Sequence, residues 1–272
     1  MNHKVIITGG LGNQMFQYAY VLALRQRGLR VAMDTSYYDF FKMHNGYELE
    51  NVFGIKESLI NKQGFHMYWL RVLNKYRPSC LYTYDKLLFE KNALEFPRHY
   101  IFGYWQDERY FSGVEEQVRR LFEFHGIDEN NKRIADEMKG ENSVSLHIRR
   151  GDYAQFGMSL VGEDYYRKAI DRIKSQVEAP IFYIFSDDMR EAENMAKSMN
   201  LSYKLMCHNR EENSYKDMFL MSQCKHNIIA NSSFSWWGAW LNSNPKKMVI
   251  APERWDGKTP DFKPQAKGWI LD

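Results

Sequence analysis

The sequence predicts an α/β protein whose strands alternate with helices and pair as parallel sheets. The chain opens with an apolar strand at residues 4–8 that runs through a glycine-rich turn into a helix. From residue 143 onward, short apolar runs alternate with amphipathic runs, which is typical of a doubly wound parallel sheet. Three strands of this second half end in clusters of polar residues, at the edge where ligands of such sheets bind.

Length and composition exclude several classes of protein. The chain has 272 residues, enough for one large domain or for two of about 130 each. Its net charge of +3 is too small to predict binding to nucleic acid. Cys80, Cys207 and Cys224 are odd in number and widely spaced, so neither a disulfide scaffold nor a zinc site is expected.

The first residues, MNHKVIITGG, run directly into a strand, without a signal peptide or a long apolar span. We therefore expect a cytosolic enzyme with no transmembrane segment, which at most rests on a membrane surface through partners.

The turn at residues 9–12 leads into a predicted helix at residues 13–27, and a second strand follows at residues 30–34. Such a helix start presents N–H groups and a positive dipole end, which favour an anion. Gly10 and Gly12, with Asp34 about 20 residues further on, also fit a dinucleotide fingerprint. Met15 stands where that fingerprint needs a small residue. An NAD-dependent oxidoreductase therefore remains as an alternative function.

The rest of the first half predicts fewer regular elements. In order, we expect a loop at residues 35–53, a helix at 59–76, a strand at 100–105 and a helix at 108–124. Residues 126–140 are polar and predict a linker whose second half fits a short surface helix. We accordingly expect an N-terminal domain at residues 1–135 and a C-terminal domain at residues 136–272.

The second half predicts a regular alternation of elements. We expect strands at residues 143–148, 181–185, 202–206, 226–230 and 248–250, and helices at residues 162–177, 189–199, 213–224 and 238–241. Because the carboxyl ends of parallel strands lie on one edge of a sheet, the clusters HIRRGD, FSDD and ANSSFS should converge.

These clusters carry side chains of the types that a nucleoside diphosphate needs. Arg149 and Arg150 can fork onto phosphate oxygens in a geometry that lysine cannot reproduce, and Asp152 can orient one of them. Asp187 or Asp188 can accept hydrogen bonds from a base with adjacent N–H donors, as guanine has. The third cluster offers an amide, hydroxyls and helix-start N–H groups to phosphate, through Asn231, Ser232 and Ser233.

Each of these features also has a structural interpretation. The arginines could form a strand-end salt bridge, and Asp187, Asp188, Ser232 and Ser233 could cap helices. The two aspartates could instead hold a divalent metal, but two arginines already neutralise a diphosphate and the spacing is not Asp-x-Asp, so we expect no metal.

Aromatic and histidine side chains near the clusters have their own alternatives. Core packing is expected for Trp236, Trp237 and Trp240, with sugar or base stacking as the alternative. His147, flanked by apolar residues, is expected to be a buried histidine rather than a catalytic base.

Three motifs together resemble a known family. GGLGNQMFQYA at residues 9–19, HIRRGDY at 147–153 and IIANSSFSWWGAWL at 228–241 closely resemble the bacterial α-1,2-fucosyltransferases of glycosyltransferase family 11. This family shares a superfamily with the α-1,6- and protein O-fucosyltransferases. GYWQDERYF at 103–111 and YKDMFLMSQCKH at 215–226 are also similar to it, so the resemblance spans nearly the whole chain.

The resemblance implies a GT-B-like fold, in which two Rossmann-like domains face a cleft and the C-terminal one holds most of GDP-fucose. It implies metal-independent, inverting transfer of L-fucose from GDP-β-L-fucose to the 2-hydroxyl of a terminal β-galactoside. The acceptor would be an oligosaccharide or a lipid-linked glycan in bacterial O-antigen or capsule synthesis, at or near the inner membrane. An α-1,3 or α-1,6 linkage remains an alternative. Animal members carry an N-terminal membrane anchor, and we expect none in this protein, in keeping with a bacterial cytosolic enzyme.

The resemblance also assigns roles to residues of this chain. Arg149 would bind the β-phosphate, supported by Arg150 and oriented by Asp152, and Asp187 or Asp188 would read guanine. The other residues expected at the donor are Gly10, Gly12, Asn13, Gln14, His147, Asn231, Ser232, Ser233 and Phe234. Of these, Asn13 and Gln14 would face the cleft from the N-terminal, acceptor-side domain, near the fucose or the acceptor. Ser232, Ser233 and Phe234 would line the diphosphate and base. Candidates for a catalytic base are Asp34, Asp39 and Glu48, and none is assigned.

Overall fold

The computed structural model describes residues 3–39, 44–57, 59–60, 82–150, 161–256 and 258–272. The chain forms two compact units, Met1–His125 and Gly126–Asp272. The division lies ten residues before the expected boundary at 135/136, because the polar stretch expected as a linker is a helix of the second unit. Ile134, Ala135 and Met138 of this helix share a core with Tyr183 and Leu220.

The first unit is an open five-stranded parallel sheet. Its strands are β1 (His3–Ile6), β2 (Val31–Asp34), β3 (Leu59–Ile60), β4 (Tyr82–Tyr84) and β5 (Tyr100–Phe102), in the order β3-β2-β1-β5-β4. Its helices are α1 (Leu11–Gln26), α2 (Leu49–Phe53), α3 (Lys91–Glu95) and α4 (Glu115–Leu121). The chain leaves β1 for β2 on one side and later returns to pair β5 on the other, so the topological switch point lies between β1 and β5.

The second unit is a six-stranded parallel sheet with the order β11-β10-β9-β6-β7-β8. Its strands are β6 (Ser143–Ile148), β7 (Ile181–Ser186), β8 (Tyr203–Leu205), β9 (His226–Ile228), β10 (Val249–Ala251) and β11 (Ile270–Leu271). Its helices are α5 (Glu129–Gly140), α6 (Glu163–Gln176), α7 (Met189–Ser198), α8 (Tyr215–Gln223) and α9 (Ser233–Leu241). All six residues of β6 are buried, as expected for a central strand covered on both faces. The predicted α/β class and the parallel sheet are confirmed.

Several predicted elements of the first half were wrong. Residues 35–53 are not one loop, because Ser36–Asp39 form a 3-10 turn and α2 follows. Instead of opening a helix, Leu59–Ile60 pair with β2, and residues 61–76 lie outside the described residues. The helix expected at 108–124 is split into a 3-10 turn and α4, because Gly113 takes a φ of 93° between them.

In the second half the differences are smaller. Helix α9 begins at Ser233, five residues before its expected start, so the ANSSFS cluster runs into the first turn of a helix. The sequence patterns missed the short strands β4 and β11 and helix α3. Within the described part of the chain, no helix combines the length and apolar character needed to cross a bilayer.

Candidate active site

The three polar clusters follow neighbouring strands of the second sheet. β6 pairs with β7 on one side and with β9 on the other, so the switch point lies between β6 and β9. Arg149 and Arg150 follow β6, Asp187 follows β7, and the run from Asn231 to Phe234 follows β9. The predicted convergence at one edge is therefore what the structure shows.

Asp187 fixes the turn that carries both arginines. Its Oδ1 accepts a hydrogen bond from the Arg150 backbone N–H at 2.8 Å, and its Oδ2 lies 3.1 Å from Nε of Arg149. The Arg149 and Asp187 side chains are 24% and 21% exposed, so solvent reaches both. Arg150 is 14% exposed and its Nε lies 3.0 Å from Oε1 of Glu191 in the first turn of α7. The two guanidiniums thus sit at the sheet edge, and each forms an ion pair with an acidic side chain.

Asp188 has a different role from its neighbour. It is the N-cap of α7, and its carboxylate accepts from the Glu191 backbone N–H at 3.0 Å. The helix-capping interpretation is confirmed for Asp188. Asp187 contacts the turn after β6 that carries Arg149 and Arg150, which we call the arginine turn. Both aspartates, either of which was expected to read guanine, therefore have structural partners. Asp152, expected to orient an arginine, lies outside the described residues.

His147 is buried in β6 and its ring centroid lies 6.3 Å from that of Phe234. Burial, together with the positive charge of Arg149, lowers the pKa of His147 to about 3. The imidazole is therefore neutral near pH 7 and a weak base, which fits a structural or ligand-lining residue and not a catalytic base.

The run after β9 forms the start of α9. Asn231 and Ser232 are buried, and Nδ2 of Asn231 donates to the Trp255 carbonyl at 2.7 Å. Ser232 occupies the N-cap position, but its side chain makes no capping hydrogen bond, so the capping interpretation does not explain it. Ser233 and Phe234 are partly exposed in the first turn. This helix starts after β9, at the same sheet edge as the arginines, and a helix start at such an edge is suited to an anion.

The three tryptophans of α9 belong to the core. Trp236 and Trp237 are fully buried and Trp240 is 5% exposed. Their rings pack on one another, and Nε1 of Trp236 donates to the Pro264 carbonyl at 2.7 Å. Core packing is confirmed, and the stacking alternative is wrong for these residues.

Asp217 is a carboxylate that sequence reasoning passed over. It lies in the first turn of α8, which packs against α9, and its Oδ1 accepts from Nδ2 of Asn209 at 2.8 Å. Burial raises the pKa of Asp217 to about 7. Its only sequence signal was an acid at a helix start, which is common enough to be uninformative.

In the first unit, Gln14 is completely buried and its amide makes three hydrogen bonds. Nε2 donates to the Gly9 and Gly46 carbonyls at 3.1 and 2.8 Å, and Oε1 accepts from the Glu48 N–H at 2.9 Å. Gln14 therefore joins two loops and does not face a ligand, which corrects the expectation. Asn13 is partly exposed, with Oδ1 accepting from Nε2 of Gln106 at 2.6 Å.

The start of α1 holds a carboxylate of the protein itself. Gly10 is its N-cap and Gly12 is buried in its first turn, while the Glu48 carboxylate accepts hydrogen bonds from the Leu11 amide and from Asn45. Burial raises the pKa of Glu48, and these two hydrogen bonds oppose that rise. The predicted anion site at this helix start is thus filled by Glu48.

The acidic residues of the first unit differ in exposure. Asp34 is fully buried, and its Oδ1 accepts from the Ser36 amide at 3.0 Å and the Ser36 hydroxyl at 2.5 Å. This geometry does not fit the ribose-binding acid of a dinucleotide site, which must meet a ligand. Glu48 is 6% exposed, and Asp39 is exposed. The catalytic base remains unassigned.

Comparisons with known proteins agree with the sequence motifs. The model of glycosyl transferase family 11 matches residues 1–270. An Escherichia coli alpha-1,2-colitosyltransferase is 33% identical over 97% of this chain and 96% of its own length. The E. coli O-antigen biosynthesis glycosyltransferase WbnK is 32% identical over 97% of this chain and 98% of its own length. The human galactoside alpha-(1,2)-fucosyltransferase 1 is 28% identical over 86% of this chain and 63% of its own length.

Solved structures show the same fold at low sequence identity. A mutant of Arabidopsis thaliana FUT1 in complex with GDP is 13% identical, with a TM-score of 0.55, over 94% of this chain and 71% of that one. The fucosyltransferase NodZ from Bradyrhizobium is 14% identical, with a TM-score of 0.52, over 88% of this chain and 91% of that one. The fold is accordingly α/β and GT-B-like, as the sequence predicted.

Proposed function

Because the chain belongs to glycosyl transferase family 11, we propose that it transfers L-fucose from GDP-β-L-fucose to the 2-hydroxyl of a terminal β-galactoside, with inversion and without a metal. The observation that carries the proposal is the arginine turn at the switch point of the second sheet, fixed by Asp187 and next to the start of α9. The fucosyltransferase and O-antigen names of its relatives support surface-glycan synthesis as the setting.

In this proposal the arginines act where charge develops. Cleavage of the bond between fucose and the β-phosphate leaves negative charge on GDP, and cations already in position lower the energy of that state. Asp187 and Glu191 hold Arg149 and Arg150, so little reorganisation is needed when the bond breaks. Ser232, Ser233 and the first amides of α9 would share the diphosphate.

We assign the reading of guanine to Asp217, since Asp187 and Asp188 are engaged in the turn and the helix cap. Guanine presents two adjacent N–H donors, which match one carboxylate. Asp217 is partly accessible, and burial raises its pKa although the Asn209 amide opposes the rise. The neighbouring start of α9 carries Phe234, whose partly exposed ring with the neutral His147 could face the base.

A second donor is favoured by one observation. The 33% identical relative is a colitosyltransferase, and colitose is L-fucose without its 3-hydroxyl group. Both sugars would leave the same nucleotide, so the arginine turn serves either reaction. Donor choice is therefore decided by contacts to a single hydroxyl.

The experiment is GDP release from GDP-fucose or GDP-colitose, with a panel of β-galactosides and with EDTA present. Acceptor-dependent GDP release with GDP-fucose is expected, and NMR of the product should show an α-1,2 linkage. A higher kcat/KM with GDP-colitose would replace fucose by colitose in the proposal. Loss of activity in EDTA that Mg²⁺ or Mn²⁺ restores would contradict metal independence.

A further inference from the structure

The carboxyl ends of β1 and β5 form the switch point of the first sheet, and one exposed aromatic residue stands there. Tyr104, two residues beyond β5, is 40% exposed. Its Cε1 would lie 3.2 Å from a Cβ at Gly9, which follows β1. In open parallel sheets this crevice is where ligands bind.

Two glycines let the turn after β1 pack closely against neighbouring side chains. Gly9 has a φ of 80°, and a Cβ there would come within 2.7 Å of Nδ2 of Asn13. At Gly10 a Cβ would lie 3.3 Å from Cγ of the exposed His44 ring. The Gly9 carbonyl is fixed by the Tyr38 hydroxyl at 2.6 Å and by Gln14. The result is a fixed stretch of backbone, the glycine floor, against which the side chains of Asn13, His44 and Tyr104 pack closely.

The loop that presents Tyr104 is held from several sides. Oδ2 of Asp85 accepts from the amides of Tyr104 and Trp105 at 3.2 and 2.8 Å. The Gly103 carbonyl accepts from Nε2 of Gln17 at 2.9 Å. Trp105, buried and stacked on Tyr20 at 4.4 Å between centroids, has a φ of 56°. A left-handed tryptophan is a strained conformation that the surroundings must enforce.

An exposed ring on so constrained a loop has the character of a binding residue. An exposed ring adds little to the stability of the fold, but a ligand gains from a ring that its anchored neighbours Gly103 and Trp105 already hold in place. Two of the polar groups beside it are neutral. The Asn13 amide is oriented by Gln106, and the Tyr104 hydroxyl stands near Tyr37. Apolar face and neutral hydrogen-bonding groups together match a sugar ring, which has C–H faces and hydroxyl edges.

We propose that the Tyr104 platform, defined as Gly9, Gly10, Asn13, His44 and Tyr104, binds the galactose ring of the acceptor. The ring face lies on Tyr104 over the glycine floor, and Asn13 hydrogen-bonds a hydroxyl. This inference rests on the proposed function for the identity of the sugar. It goes beyond it by assigning an acceptor site to these residues.

The test is saturation-transfer difference NMR on the full chain with methyl β-D-galactoside. Signal from the galactoside is expected with the wild type and with Phe96→Ala, a matched loss of an aromatic ring that is 75% exposed. Tyr104→Ala should weaken binding by at least about tenfold, whereas Tyr104→Phe keeps the ring face and should change it by less than about threefold.

A second variant does not depend on removing a large side chain. Gly10 has an ordinary extended backbone, with a φ of −77°, so Gly10→Ala is not strained but fills the floor beside His44. It should weaken the galactoside signal as well. Undiminished signal in both Tyr104→Ala and Gly10→Ala, or no signal with the wild type, overturns the inference. GDP binding, measured separately by calorimetry, reports on the donor site, so its absence would count against the proposed function alone.

Discussion

Nε of Arg149 lies 3.1 Å from Oδ2 of Asp187, and the other oxygen of the same carboxylate accepts the backbone N–H of the next residue. One side chain directly after β7 therefore forms an ion pair with a guanidinium and also fixes the path of the turn after β6. In the proposed reaction Asp187 would therefore act on the donor through the arginines, as a positioning residue.

Asp187→Asn should weaken the binding of GDP and of ADP by a similar factor, about five- to twentyfold. The reason is that the ion pair with Arg149 is lost, while the amide oxygen of asparagine can still accept from the Arg150 N–H. If Asp187 read guanine, the loss would fall on GDP and spare ADP. Calorimetric titration with both nucleotides separates these roles. Asp188→Asn is the matched control, since asparagine is as good an N-cap and affinity should be unchanged.

Arg149→Lys should cost on the order of 2–5 kcal/mol of transition-state stabilisation, because a lysine cannot make a bidentate phosphate contact. The measurement is kcat/KM for GDP-fucose. Arg172→Lys is the control, since Arg172 also pairs with an aspartate, Asp272, on the surface of the same unit. Turnover by Arg149→Lys within a factor of about three of the control would remove Arg149 from the donor site.

Gln14→Ala should lower the free energy of unfolding by about 2–4 kcal/mol, because the Gly46 carbonyl and the Glu48 amide lose a buried partner. Urea unfolding measures the change. Gln26→Ala is matched, because Gln26 is on the same helix and donates to the Gly113 carbonyl in an exposed setting. It should shift stability by less than about 0.5 kcal/mol. Equal stability of the two variants, with weakened GDP binding in Gln14→Ala, would restore the donor-facing role.

Local sequence patterns were enough to predict which residues lie at the carboxyl ends of the strands. The apolar run of β6 and the polar residues right after it placed Arg149 and Arg150 at the sheet edge, because burial on both faces leaves a continuous apolar signature. Asp187 followed from the same reasoning for β7. The sequence also indicated that three such ends converge, since parallel strands allow no other arrangement.

What individual residues near these sites do depends on contacts that local sequence patterns do not encode. Gln14 meets Gly46, 32 residues away, and Glu48 fills a helix start that looked open to a ligand. Asp217 owes its raised pKa to burial, which its place at a helix start did not suggest. The first two are long-range pairings of common residues, and the third is burial that depends on the whole fold. Neither long-range pairing nor burial of this kind leaves a periodic signal in the sequence.

Asp217 should make both stability and GDP affinity depend on pH, in opposite directions. Its pKa is raised to about 7 in the folded chain, so the stability linked to it is fully present below about pH 4 and is lost as the pH rises to about 7. Asp217→Asn removes this loss. It should therefore stabilise the protein at pH 8 by on the order of 2–4 kcal/mol and by less at pH 5, which thermal unfolding at the two values measures.

The same substitution should damage donor binding, because guanine needs the charged carboxylate. In the wild type the preference for GDP over ADP should fall as the pH drops through about 7, while Asp217→Asn should have a small preference that does not change with pH. The GDP-to-ADP ratio cancels titration of the phosphates, which the two nucleotides share. A variant that is more stable at pH 8 and retains the full preference would make Asp217 a structural acid and leave guanine to another residue. We expect Asp217→Asn to be more stable at pH 8 and to lose the preference for GDP over ADP, because a binding site keeps charges that folding alone disfavours.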